Sequence, residues 1–162
     1  METFQYMQEL QDILKHNKQT ITCAESCTGG LIASEITKLS GSSSIFKGSV
    51  VTYCNDIKEQ ELGVKKQTMI DNGAVSIETV SEMLSGVLKK FNATYAIAVS
   101  GVAGPTGGTE EKPVGTVVIG CASICGKQDI AFYHFNGDRQ KVQNQAVKKS
   151  FEIIFKILSK NT

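Results

Sequence analysis

The feature that most constrains the fold is the segment Thr94–Ser100 (TYAIAVS), which is apolar at both alternating sets of positions. Successive side chains of a β-strand point to opposite faces of the sheet, so a strand of this kind must be covered on both faces. The segment therefore predicts a central strand in a sheet that carries helices on both sides.

The rest of the chain supplies elements that fit around such a strand. Apolar residues recur at helical spacing in its first and last segments, and short β-prone runs lie between them. The predicted elements are a helix over 2–16, a strand over 20–24 with a helix after Gly30, a strand over 48–53, a short helix carrying Lys58, a helix capped by Ser76, an antiparallel hairpin of strands over 114–123 and 129–136, and a helix over 139–160. We expect an α/β fold, a single-domain three-layer sandwich of a mixed β-sheet with helices on both faces, over residues 1–162.

Charge and composition exclude several classes of function. The formal net charge of +1 leaves no basic patch of the kind that binds nucleic acid or an anionic membrane. No signal peptide and no apolar run of membrane-spanning length is visible. The five cysteines favour reduced thiols and a cytoplasmic location. Pairs such as Cys23 and Cys27, or Cys121 and Cys125, lack zinc-site spacing, so we expect no metal and no cofactor.

The first candidate for chemistry is the serine turn, Glu25–Gly30, between a predicted strand and a predicted helix. An exposed Ser26 hydroxyl would lie near a helix N-terminus, which stabilises developing negative charge. The glycine pair Gly29 and Gly30 would let a substrate approach the backbone. Two alternatives stay open: Ser26 or Thr28 simply caps the helix, or Cys27 is the nucleophile.

A second candidate is the pair Tyr53 and Lys58, at the next strand end and the following helical turn. A serine nucleophile needs a base, and neither His16 nor His134 has a strand-end loop setting. A lysine can act as the base if burial lowers its pKa, and a tyrosine can relay a proton or hold the lysine. The alternatives are a solvated surface lysine and a half-buried strand tyrosine.

The third candidate is the glycine loop, Gly101–Gly108, which follows Ser100. Consecutive backbone amides in such a loop can form an anion-binding concavity. Arg139, at the start of the last helix, carries a fork of donors suited to phosphate or carboxylate. The alternatives are a plain surface turn and an Asp138 helix cap beside a surface arginine.

Taken together, these segments resemble one known family. Eight blocks stand in order: AESCTGG at 24–30, SGSSSIFKG at 40–48, VTYCNDIK at 51–58, LGV at 62–64, GAVS at 73–76, SGVAGPTGG at 100–108, EEKPVGTV at 110–117 and FNGDR at 135–139. The chain closely resembles the CinA C-terminal-domain family of nicotinamide-nucleotide amidases, from about Phe4 to the end of the last helix.

The resemblance implies hydrolysis of the carboxamide of nicotinamide mononucleotide to nicotinate mononucleotide and ammonia, within pyridine-nucleotide recycling and without a metal. It assigns Ser26 as the nucleophile, Lys58 as its base and Tyr53 as the partner completing the site. It also implies a homo-oligomer. The expected substrate-binding residues are Thr28, Gly29 and Gly30, whose amides would hold the oxyanion, together with Ser100, Gly104, Gly107, Gly108 and Arg139.

Other functions remain open from the sequence. One is a non-catalytic nucleotide-binding module, or a regulatory module linked to competence or damage induction. Another is the same amidase chemistry on a different amide, since Arg139 and the glycine loop favour a phosphorylated substrate only weakly. A DNA-binding role is disfavoured by the balanced charge.

Overall fold

The computed structural model describes residues 1–160, which build one five-stranded sheet in the order β2-β1-β3-β4-β5. No helix in this range is both long and apolar enough to cross a lipid bilayer. The elements in chain order are α1 Thr3–His16, β1 Ile21–Glu25, α2 Leu31–Thr37, a 3₁₀ turn at Ser42–Ser44, β2 Val50–Val51, α3 Asn55–Leu62, α4 Lys66–Asn72, α5 Ile77–Phe91, β3 Tyr95–Gly101, β4 Thr116–Ser123, β5 Gln128–His134 and α6 Arg139–Ser159.

The sheet is mixed, as predicted. Strand β1 pairs in parallel with both β2 and β3, whereas β3–β4 and β4–β5 are antiparallel. The carboxyl ends of β1, β2 and β3 therefore meet at one edge, where ligands bind in open α/β sheets. The predicted hairpin corresponds to β4 and β5.

Two cores, one on each face, account for the apolar character of β3. Ile97 and Val99 face the core formed with α1, α2 and α6. Ala96 and Ala98 face the core formed with α3, α4 and α5. Because each face is fully covered, the strand is apolar at both parities, and the predicted three-layer arrangement is confirmed.

Two parts of the fold differ from expectation. The strand predicted over 48–53 shrinks to Val50–Val51, because it is an edge strand and the chain turns into α3 directly after Thr52 donates its amide to Glu25. The helix α4 was not predicted. Only Met69 of this helix is buried, so its sequence carries no apolar period that could indicate it.

Candidate active site

The three candidate segments converge at the carboxyl ends of β1, β2 and β3. Between them lies a cleft of about 280 Å³. Of its ten lining residues, five were predicted individually for the site, one is the alternative nucleophile Cys27, and four belong to the glycine loop without an individual prediction. The lining consists of Ser26, Cys27, Tyr53, Gly101, Val102, Ala103, Gly104, Thr106, Gly107 and Arg139.

Ser26 and Lys58 form a close pair behind this cleft. Ser26 continues the sheet one residue past β1, with its amide bonded to the Val99 carbonyl at 3.0 Å. The Lys58 Nζ lies 3.1 Å from Ser26 Oγ and 2.9 Å from the Thr52 carbonyl oxygen, with the Tyr53 carbonyl oxygen at 3.5 Å. Helix α3 begins close to β2, so its first turn brings Lys58 under the serine turn.

The environment of Lys58 contradicts the surface-lysine alternative. The residue is only 1% exposed. Burial lowers the pKa of its amine below the usual 10.5, while the nearby Cys54 and Cys27 have smaller opposing effects. No carboxylate forms an ion pair with Lys58 within residues 1–160. A buried amine without an acidic counter-ion gives up its proton readily, which suits a general base.

The N-terminus of α2 is occupied, and the prediction that it lies open to developing negative charge is wrong. The carboxylate of Glu25 accepts hydrogen bonds from the amides of Ile32 at 2.9 Å and Ala33 at 3.1 Å. The Thr28 hydroxyl donates to the same carboxylate at 2.7 Å. Neither Ser26 nor Thr28 therefore caps the helix, and Ser26 is 7% exposed rather than open to solvent. The sequence analysis gave Glu25 no role, since a lone glutamate in a turn carries no distinctive pattern.

Cys27, the rival nucleophile, lines the cleft but is poorly activated. Burial is the main cause that raises the pKa of its thiol to about 12. The thiolate is the nucleophilic form of cysteine, and very little of it is present at neutral pH with such a pKa. The Cys27 carbonyl accepts a hydrogen bond from Gln143 of α6 at 2.9 Å, which ties the serine turn to that helix.

The phenol of Tyr53 does not make the contact with Lys58 that the sequence analysis expected. The side chain is 60% exposed, and its hydroxyl accepts a hydrogen bond from Arg139 at 2.7 Å. Its backbone carbonyl, rather than its hydroxyl, approaches Ser26 and Lys58, in each case at 3.5 Å. The expectation that the phenol holds the lysine or relays its proton therefore finds no contact in this structure.

Arg139 bridges two walls of the cleft. Besides Tyr53, it donates to the Gly104 carbonyl of the glycine loop at 2.8 Å. Asp138 caps α6 by accepting a hydrogen bond from the Lys141 amide at 2.9 Å. The alternative prediction of an Asp138 helix cap beside a surface arginine is therefore correct for Asp138. The arginine itself is not a free surface residue, and no acidic residue in the described chain pairs with its charge.

The glycine loop presents unused backbone donors to the cleft. Within the described chain, the amides of Ala103, Gly104, Thr106 and Gly107 donate to no acceptor. Free amides on one loop are the kind of donor that binds anions in proteins. Gly108 lies outside the lining, because a Cβ there would sit 2.7 Å from the Val114 amide nitrogen, and it is needed for packing.

Several predicted residues do not reach the cleft. Gly29 and Gly30 have φ angles of 59° and 105°, which the backbone of the turn requires, and neither residue lines the cleft. Ser100 is buried within β3, opposite Val118. Thr28 is also buried. The histidines His16 and His134 lie at the end of α1 and on β5, away from this cleft.

The residues described here contain no cluster of His, Cys, Asp and Glu side chains with the geometry of a metal site. That the reaction needs no metal stays a prediction.

Comparisons with known proteins show what the whole chain is similar to. The chain is 42% identical to the nicotinamide-nucleotide amidohydrolase PncC of Escherichia coli, with 99% of this chain and 98% of that protein covered. It is 47% identical to a CinA-like protein of Fervidobacterium nodosum over 88% of this chain, but it spans only 35% of that longer protein.

The fold is shared with solved structures as well. The crystal structure of the competence damage-inducible protein A of Klebsiella pneumoniae matches with a TM-score of 0.93 and 33% identity, over 98% of both chains. A family model described as the CinA C-terminal domain matches residues 3–158. With nearly the whole described chain covered, the protein belongs to the CinA C-terminal domain family.

Proposed function

We propose that this protein is an amidase that hydrolyses the carboxamide of nicotinamide mononucleotide to nicotinate mononucleotide and ammonia. The observation that carries the proposal is the buried Ser26–Lys58 pair, 3.1 Å apart, beside a cleft whose opposite wall offers free amides and Arg139. Its likeness to an Escherichia coli nicotinamide-nucleotide amidohydrolase along the full chain supports the choice of substrate.

The first step activates the serine. In the structure Lys58 Nζ donates to Ser26 Oγ and to the carbonyls of Thr52 and Tyr53. In the reactive form that we propose, the amine is neutral, keeps its two N–H groups on those carbonyls and takes the Ser26 proton with its lone pair. Ser26 Oγ then forms a bond to the carboxamide carbon, while the carbonyl π electrons move onto its oxygen. The Lys58 ammonium formed in this step keeps both carbonyl acceptors.

The second step expels ammonia. The oxyanion needs preorganised donors, and in the serine turn the amides of Thr28 and Gly30 donate to no acceptor in the described chain, whereas the Gly29 amide is bonded to Ser26. As the carbonyl re-forms, the C–N bond breaks and Lys58 returns its proton to the leaving nitrogen. Water, deprotonated by Lys58, then hydrolyses the acyl-enzyme and regenerates Ser26.

The glycine loop and Arg139 are proposed to bind the substrate. The free amides of Ala103, Gly104, Thr106 and Gly107 and the guanidinium of Arg139 suit the phosphate of a mononucleotide. Tyr53 supports the site through Arg139 and through its backbone carbonyl. Ser100 orients the substrate only if the cleft deepens on binding, because the residue is now buried.

The wider setting follows from the sequence. We place the enzyme in the cytoplasm as a homo-oligomer that works without a metal, in pyridine-nucleotide recycling. The family resemblance and the five cysteines support these points.

Ammonia release from nicotinamide mononucleotide by chelator-treated protein tests the proposal. The wild type should release ammonia stoichiometrically with nicotinate mononucleotide, and Ser26→Ala should release none while melting at a similar temperature. Ser85→Ala, which removes an exposed hydroxyl from α5, is the matched control and should retain full activity.

Folded wild-type protein that binds the nucleotide but releases no ammonia would favour the non-catalytic binding module. Activity that disappears with the chelator and returns with added metal would contradict metal independence. Full activity in Ser26→Ala would remove Ser26 from the reaction.

A further inference from the structure

The buried carboxylate of Glu25 is the one charged group at the site that the proposed reaction does not use. It is 0% exposed, and no cation pairs with it within residues 1–160. Burying a carboxylate is costly unless it is well hydrogen-bonded, so the contacts of such a group must compensate for its loss of water.

The Glu25 side chain connects the serine turn to the first turn of α2. One oxygen accepts from the Thr28 hydroxyl at 2.7 Å and the Ile32 amide at 2.9 Å, and the other accepts from the Ala33 amide at 3.1 Å. The Cys23 thiol donates to the second oxygen at 3.7 Å. The segment that carries Ser26 is thus clamped between the end of β1 and the start of α2.

The same contacts change what the start of α2 can do. A helix N-terminus normally lowers the pKa of a nearby cysteine and makes it reactive, and Cys27 lies within one turn of α2. Here a full negative charge occupies that position. The cleft therefore contains Ser26 with its proposed base and, next to it in the chain, Cys27, which belongs to the same turn as the buried Glu25 carboxylate.

We propose that Glu25 is a positioning residue, which fixes the serine turn so that Ser26 faces Lys58 and which keeps Cys27 from acting as a second nucleophile. The first half rests on the proposed amidase function, and the second half does not. Charge effects agree with the second half. Burial is the largest cause of the raised pKa of Cys27, and Glu25 adds to it, whereas Lys58 and Arg139 act in the opposite direction.

Two substitutions of Glu25 separate charge from geometry. Glu25→Gln keeps the shape but removes the charge and one acceptor oxygen, whereas Glu25→Asp keeps the charge and shortens its reach. Both should lower kcat by about 100-fold, the effect of displacing a reacting group by about 1 Å, with KM for nicotinamide mononucleotide little changed.

Alkylation of Cys27 by iodoacetamide is the second measurement. Peptide mass spectrometry resolves Cys27 from the exposed Cys54 and Cys125. At neutral pH Cys27 should react faster in Glu25→Gln than in the wild type, and at the wild-type rate in Glu25→Asp. A purely structural loss would raise alkylation equally in both variants and would overturn the assignment to Glu25's charge.

Thr28→Val provides a milder test that does not remove the carboxylate. It deletes only the 2.7 Å hydrogen bond and should lower kcat by less than Glu25→Gln does, without changing Cys27 alkylation. Wild-type kcat in both Glu25→Asp and Thr28→Val would overturn the positioning role, whether or not Glu25→Gln folds. If wild-type protein releases no ammonia, the amidase proposal fails, while the alkylation comparison still decides the second half.

Discussion

The serine turn and the glycine loop form facing walls of one cleft, and they are built in opposite ways. In the serine turn, Glu25 and Thr28 are buried and bonded to each other, and the carboxylate also takes two helix amides. In the glycine loop, Val102 bonds to Thr116 and Gly115 through its backbone, and Arg139 donates to the Gly104 carbonyl. The amides of Ala103, Gly104, Thr106 and Gly107 donate to no acceptor in the described chain.

This difference separates two tasks. Catalysis requires reacting atoms that stay within a few tenths of an ångström of their places, and internal hydrogen bonds supply that rigidity. Recognition of an anion requires donors that have no partner until the ligand arrives. In the serine turn, Glu25 occupies the N-terminus of α2, and only the Thr28 and Gly30 amides stay free for the proposed oxyanion. The glycine loop and Arg139, the anion-binding wall, are therefore the part of the cleft proposed to bind the anionic group of the substrate.

The largest expected effect comes from removing the base on the rigid wall. Lys58→Met keeps the length and the apolar stem of the side chain, so we expect kcat/KM to fall on the order of a thousandfold, as for loss of a general base. The free energy of unfolding should stay the same or rise, because a buried amine is replaced by an apolar group. Ammonia release and thermal melts measure the two quantities.

Lys89→Met serves as the matched control, because Lys89 is exposed in the last turn of α5. It should leave kcat/KM unchanged. A Lys58→Met protein with near wild-type turnover would show that another group removes the Ser26 proton.

The effect of pH on kcat/KM should be smaller than that of Lys58→Met, and it should arise from the same residue, Lys58. Burial lowers the pKa of Lys58 below 10.5, and only the neutral amine acts as a base. The value of kcat/KM should therefore rise about tenfold per pH unit below that lowered pKa and level off above it. Steady-state rates measured from mildly acidic to alkaline pH follow this rise of kcat/KM and the plateau above it.

Stability provides a substrate-free check of the same titration. In the unfolded chain Lys58 holds its proton up to a higher pH than in the fold, so the unfolded state binds more protons between the two pKa values. The contribution of Lys58 to the free energy of unfolding should therefore rise with pH across that window and fall as the pH is lowered. Equal pH slopes for wild type and Lys58→Met would contradict the lowered pKa.

The sequence predicted the fold and the segments that form the site better than it predicted which side chains contact one another. The two-sided apolar pattern of Thr94–Ser100 fixes a covered central strand, and strand ends then bring the three segments to one edge. This reasoning brought the segments of Ser26 and Lys58 to the same edge, and the family resemblance then assigned the two residues as nucleophile and base. The helix α4 could not be predicted, because it has almost no buried face.

Side-chain partners depended on tertiary geometry that residue types do not encode. Tyr53 and Lys58 are close in sequence, yet the phenol turns away to Arg139, which lies far along the chain. Glu25 looked like an ordinary turn residue, and only its position over the start of α2 makes it a clamp. Gly108 was assigned to the substrate, whereas its nearest neighbour is the Val114 backbone.

The smallest effect, and the one that sharpens the comparison most, concerns the anion-binding wall. Arg139→Gln removes the charge and most of the donor fork, so we expect KM for nicotinamide mononucleotide to rise about tenfold, the cost of losing a hydrogen bond to a charged group, with kcat little changed. Tyr53→Phe deletes only the hydroxyl that Arg139 binds and should raise KM less.

Nicotinamide riboside, which lacks the phosphate, tells a phosphate contact from a general loosening of the cleft. If Arg139 binds the phosphate, the riboside should be a poor substrate for the wild type and equally poor for Arg139→Gln, because neither complex has the ion pair to lose. If Arg139→Gln lowers kcat/KM by the same factor on both substrates, Arg139 acts instead by holding the glycine loop at Gly104. The anion-binding wall would then depend on an anchor much as the serine turn depends on Glu25, and the two walls would differ less than their hydrogen bonds suggest.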